Sequence, residues 1–172
     1  MYAATVTLVA FAVWVGITDV RTRRIPNWLT GVGALSGLAL AAATGGDSLI
    51  LAFLGLVVGI AIGFFLSSLH VLGAGDAKFM AAVGAWAGWE RLPAAYLGMI
   101  AGGAAFALIW SARNRVLRAT LLSTSVIIGS AVRSGERVPP VVGGTEAGRF
   151  PYGAGLGLGA IAWWFWAGGT MP

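Results

Sequence analysis

Residues 2–27 read YAATVTLVAFAVWVGITDVRTRRIPN, an apolar run from Tyr2 to Ile17 that ends at Asp19 and is followed by Arg21, Arg23 and Arg24. A carboxylate is costly to hold at the end of a membrane-crossing segment, so Asp19 is a candidate functional group. A cleavable signal peptide starts basic, and here the basic residues come after the apolar run. The segment is therefore expected to stay in the protein, with its N-terminus outside and the arginines in the cytoplasm. A second apolar run closes the same way, on Leu72-Gly-Ala-Gly-Asp76-Ala-Lys78.

The composition sets the class. Of 172 residues, 58% are hydrophobic and 10% charged. Soluble domains carry about 25% charged residues, so the chain reads as an all-α, polytopic membrane protein. A helix needs about 20 apolar residues to cross a hydrocarbon core of about 30 Å, which leaves room for roughly six crossings. Cysteine is absent and His70 is the sole histidine, so thiol chemistry and an HExxH zinc site are excluded. The formal charge of +5 is better explained by arginines in cytoplasmic loops than by nucleic acid, and no nucleic-acid partner is expected.

The expected segments are Tyr2–Thr18, Trp28–Ala43, Leu49–Leu72, Ala77–Trp89, Ala94–Ala112 and Pro151–Thr170, in one membrane-embedded domain spanning residues 1–172. Outside turns are expected at 44–48 and at Glu90–Pro93. Arg113–Phe150 reads as a cytoplasmic region. Its apolar stretch Ala119–Val132 is too short to span comfortably and reads as lying partly on the membrane. That gives six helices with both termini outside. Gly55, Gly59 and Gly63, and the pairs Gly33/Gly37, Gly84/Gly88 and Gly98/Gly102, recur every four residues, the spacing that lets helix backbones approach closely in lipid. The run Gly153, Gly155, Gly157, Gly159 lacks the strand-to-helix context of a nucleotide loop and reads as packing.

Parity then joins the two aspartates. The first and third segments both run inward, so Asp19 and Asp76 fall on one leaflet. The fourth segment rises only ~20 Å, which leaves one end below the surface, and the Asp76 end is a candidate. Two neighbouring carboxylates cannot both ionise cheaply and would share a proton. One could then activate water while the other polarises a scissile carbonyl. Gly73 and Gly75 would let a substrate backbone approach. Plainer roles are open at this point: Asp19 paired with an arginine, Asp76 as a helix cap, Lys78 reaching lipid phosphates. A helix-end polar role is expected for His70. A small transporter or a non-catalytic assembly subunit are the alternatives in other function classes.

The residues at these positions resemble the type IV prepilin peptidases, membrane aspartic proteases of the GxGD type, and in particular the short branch serving Flp/Tad pili. Gly73-Ala74-Gly75-Asp76 with Lys78 matches GxGDxK. Asp19 followed by arginines and Ile25-Pro26-Asn27 matches the first-aspartate motif, and Phe150-Pro151-Tyr152-Gly153 is similar to a further family feature. The resemblance implies Asp19 and Asp76 as the catalytic pair, with Gly73, Gly75, Lys78, Pro26, Asn27 and Tyr152 as motif or substrate-shaping positions. It implies no cofactor and no metal. Prepilin-like proteins would be the substrates, cut after a glycine that ends a basic leader at the cytoplasmic face of the bacterial inner membrane. Larger members carry a four-cysteine segment between the first two helices and also N-methylate the product. Here Asp19 is close to Trp28 and no cysteine is present, so cleavage without methylation is expected. Thr18 before Asp19 departs from the Tyr-Asp of the presenilin branch.

Overall fold

The computed structural model describes residues 2–69, 72–113 and 152–172, and these are helical with no strand among them. The expectations for His70, for Arg113–Phe150 beyond Arg113 itself, and for Ala119–Val132 lie outside the described residues. The helices are α1 (Tyr2–Thr22), α2 (Asn27–Thr44), α3 (Gly46–Ser68), α4 (Ala74–Arg113) and α5 (Tyr152–Trp166). Three of them, α1, α3 and α4, are long and apolar enough to cross a membrane. At 18 and 15 residues, α2 and α5 rise about 27 and 22 Å, short of a full hydrocarbon core. Six spans are therefore not established by length.

Two glycines make the sharp joints. Only Gly45, at φ 150° and ψ 165°, separates α2 from α3, a conformation open essentially to glycine alone. Inside α4, Gly88 takes φ 67° and ψ 166° and divides the helix into limbs 74–87 and 89–113. The Tyr96 hydroxyl donates to Met80 O at 3.3 Å. Along a straight helix those residues would lie ~24 Å apart, so the second limb doubles back on the first. The turn expected at Glu90–Pro93 is therefore helical, and the reversal comes earlier. Charge and proline pointed to 90–93, but Pro93 falls early in the new limb, where it disturbs few helix bonds. Glycine is what the backbone of the joint requires.

The first limb of α4 is the axis of the bundle, with residues 79–88 all buried. A helix apolar on every face belongs inside a larger assembly of helices. On one side α3 runs antiparallel to it through its glycines. A methyl group on Gly55 would come within 2.2 Å of Gly84 O, one on Gly59 within 3.0 Å of Ala81 Cα, and one on Gly63 within 2.9 Å of Ala77 O. Phe11 of α1 packs on Phe79 with ring centroids 5.4 Å apart. Trp86 donates its indole N–H to Gly33 O of α2 at 2.9 Å, satisfying a donor that burial away from water would otherwise leave costly. Trp164 of α5 meets the other side of Trp86 at 6.0 Å. The alternating glycines of α5 are packing positions: a methyl on Gly102 would fall 2.4 Å from Gly159 Cα, and one on Gly157 would fall 2.9 Å from Ala12 O.

Candidate active site

At one end of this bundle, the last turn of α1, the short connection into α2, the start of α4 and the start of α5 converge. They enclose a cavity of about 760 Å³. Asp19 and Arg23, Arg24 and Ile25 line it from α1 and its connection, Asn27 from α2, and Tyr152 from α5. Gly73, Ala74, Gly75, Asp76 and Lys78 line it from the entry to α4. The parity argument thus holds in space: both aspartates reach one cavity, and the charge of Asp19 is felt by Asp76.

Each carboxylate is placed by local structure. Asp19 lies within α1, whose last turn extends past the expected boundary to Thr22, and only 7% of it is exposed. Arg23 N–H donates to Asp19 O at 2.8 Å and Arg23 then takes φ 53°. That left-handed residue ends the helix where glycine more often does. The Thr22 hydroxyl donates to Arg24 O at 3.1 Å and steadies the exit. Pro26 does not line the cavity. It stands at the N-cap of α2 with φ −64° and ψ 139°, and its carbonyl accepts from Leu29 N–H at 3.1 Å. Proline's fixed φ pre-sets that entry.

Asp76 lies in the first turn of α4, which begins at Ala74, inside what the sequence suggested was loop. Gly73 O accepts from Ala77 N–H at 3.0 Å and opens the helix. A side chain on Gly73 would sit 3.0 Å from Asp76 Oδ2, and one on Gly75 would sit 3.4 Å from Ile25 Cβ. The two motif glycines thus leave room for the carboxylate and for the α1–α2 connection. Lys78 Nζ donates to Asn27 Oδ1 at 2.8 Å, tying α4 to α2 across the mouth of the cavity.

The last helix contributes what the sequence reading missed. Gly153 N–H donates to Asp19 Oδ2 at 2.7 Å, and Ala154 N–H also acts on that carboxylate. A methyl group on Gly153 would lie 3.0 Å from both Asp19 Cγ and Ile25 Cδ1. The Pro-Tyr-Gly string before an apolar run was the available signal, but nothing in it names Asp19 as the partner. Arg23 and Arg24, read as topology markers and as possible partners of Asp19, line the cavity. Elsewhere, an apolar groove of about 650 Å³ between the second limb of α4 and α5 holds no carboxylate. Among the described residues no group of three or more His, Cys, Asp or Glu gathers that could hold a metal ion.

No curated protein and no solved structure gives a significant match to the chain. The profile of the type IV leader peptidase family matches residues 6–108, more than half of the sequence, and includes both aspartates and every cavity residue except Tyr152. A bundle with three membrane-length helices, two carboxylates in one end cavity and this match agree, and the chain belongs to the type IV leader peptidase family of membrane proteases.

Proposed function

We propose that the protein is an aspartic endopeptidase that removes the basic leader of prepilin-like proteins, cutting after a glycine at the cytoplasmic face of the bacterial inner membrane. Asp19 and Asp76 form the catalytic pair. The observation that carries this reading is their shared cavity, in which one carboxylate feels the other's charge. Two carboxylates so placed can hold one proton between them and divide the work of acid and base. One takes a proton from water as the water oxygen adds to the scissile carbonyl carbon, and the other gives its proton to the carbonyl oxygen. When the tetrahedral diol collapses, the C–N bond breaks and the first carboxyl protonates the leaving amine. The second recovers its proton from the diol, so the pair is restored.

The remaining motif residues shape this site. Gly73 leaves space beside Asp76. Lys78, Asn27 and Tyr152 border the cavity where a leader would enter. Gly75 lets the connection into α2 approach α4 at Ile25, and Pro26 sets the start of α2. Cleavage proceeds without N-methylation: α1 ends at Thr22 and α2 starts at Asn27, and the chain has no cysteine, so the larger members' cysteine-bearing insertion has no counterpart. The test is co-expression of a prepilin-like substrate with wild type, Asp19→Asn and Asp76→Asn. Both variants should leave the precursor uncut while accumulating in the membrane at wild-type levels. Normal processing by either would remove the dyad from the mechanism.

A further inference from the structure

The two carboxylates stand in unequal surroundings. Burial works against the charged form of both carboxylates, but Asp19 accepts the Gly153 N–H at 2.7 Å, with Ala154 N–H and the Arg23 charge also acting in favour of its ionised form. The donors belong to the N-terminus of α5, whose dipole and unpaired N–H groups favour negative charge. Asp76, by contrast, receives no hydrogen bond among the described residues. Beside it lie the bare Gly73 backbone and the like charge of Asp19. Lys78, two residues on, gives its ammonium to Asn27 Oδ1. Asp76 does sit in the first turn of its own helix, a weaker and non-directional stabilisation. A direct charge-assisted N–H bond is stronger, so the Asp19 side wins the negative charge. Among the described residues, the other titratable or charged groups around the cavity are Arg24 on the α1–α2 connection and Tyr152 on α5.

We infer that the start of α5 and Arg23 make Asp19 the ionised, water-activating member of the pair and leave Asp76 as the carboxylic acid that protonates the scissile carbonyl. Gly153 and Arg23 are positioning residues acting through Asp19, and the assignment rests on the dyad reading above. In the chemical step Asp19 takes the proton of the attacking water while Asp76 gives its own to the carbonyl oxygen. On collapse Asp19 passes its proton to the departing amine, and Asp76 regains one from the diol. The last helix, outside the segment that carries the family match, thereby sets the polarity of a site built from the first four.

The pH dependence of kcat/KM separates the two possible assignments. The acidic limb reports loss of the base, and the basic limb reports loss of the acid. The substrate is a peptide with a basic leader, a glycine and an apolar stretch, cleaved by the purified protein in detergent. Arg23→Gln should move the acidic limb to higher pH by roughly half a unit to one unit, reduced from the buried-pair range because Arg23 is exposed. The basic limb should stay in place, and Arg23→Lys should restore the profile. Arg23→Gly removes the charge and suits φ 53°, so it should give the same shift even if Gln destabilises the turn. Movement of the basic limb instead would reverse the assignment. A rise in KM with neither limb moving would reduce Arg23 to a substrate contact. If Asp19→Asn or Asp76→Asn cleaves normally, the dyad itself falls. If both are inactive and the limbs behave otherwise, only the assignment falls.

Discussion

The backbone N–H of Gly153 donates to Asp19 Oδ2 at 2.7 Å, across 134 residues of sequence. The bond fastens the start of the last helix to the end of the first, and it leaves no room for a side chain. A methyl on Gly153 would lie 3.0 Å from Asp19 Cγ and Oδ2. Gly153→Val is therefore expected to push the carboxylate out of line and lower kcat about 10² fold, the usual cost of a misplacement near 1 Å. Cleavage assays beside circular dichroism would show lost rate with helix content retained.

The proposed Asp19–Asp76 dyad predicts a bell-shaped pH profile. Where both carboxyls are protonated the base is missing, and where both are ionised the acid is missing, so activity falls on either side of the singly protonated pair. The apparent constants belong to the pair. In Asp19→Asn or Asp76→Asn the residual rate should lose one limb along with most of its magnitude, as measured by kcat/KM across pH.

Lys78 and Asn27 are coupled through one hydrogen bond between α4 and α2. Because Lys78 and Asn27 are exposed, the bond is expected to contribute about 0.5–1 kcal/mol. A double-mutant cycle of Lys78→Met and Asn27→Leu, read by thermal unfolding and KM, should give a coupling energy of that size. Additive effects would mean the two residues act separately.

The glycines of α3 predict contrasting stabilities. Gly55→Ala places a methyl 2.2 Å from Gly84 O and should destabilise by about 1–3 kcal/mol. Gly31→Ala, within α2 with nothing inside 4 Å of the added methyl, should be neutral or stabilise by about 0.5–1 kcal/mol. Melting temperatures in one detergent would separate them.

At Gly88 the objection is conformational as well as steric. Its φ of 67° strains any residue with a side chain, and the added methyl would meet Pro172 at 2.6 Å. Gly88→Ala should cost about 1–3 kcal/mol and loosen the return of the second limb. The expected readout is a lower melting temperature and faster proteolysis.

Much of this was legible along the chain. Apolar run lengths gave a helical membrane protein, because hydrocarbon thickness converts directly into residue number. Four-residue glycine spacing marked the packing faces, because that period places successive glycines on one side of a helix. Direction alternates with each crossing, so counting runs was enough to set Asp19 and Asp76 at one end. Local rules failed where tertiary context overrode them. The Glu90–Pro93 stretch looked like a turn by charge and proline, yet Gly88 supplied the one conformation the reversal needed. Asp19 and Asp76 looked like loop residues and are held inside helix ends.

Sequence alone therefore determined the class of the protein and that Asp19 and Asp76 fall at one end of the bundle. Each of these follows from periodicity, composition and alternation, which are properties of neighbouring residues. Only the tertiary structure decided that Asp19 and Asp76 share a cavity, that Lys78 is bound to Asn27, and that Gly153 serves Asp19. Those relations join helices far apart in the chain. They depend on how side chains and glycine gaps interlock around the first limb of α4, a fit that no single segment encodes.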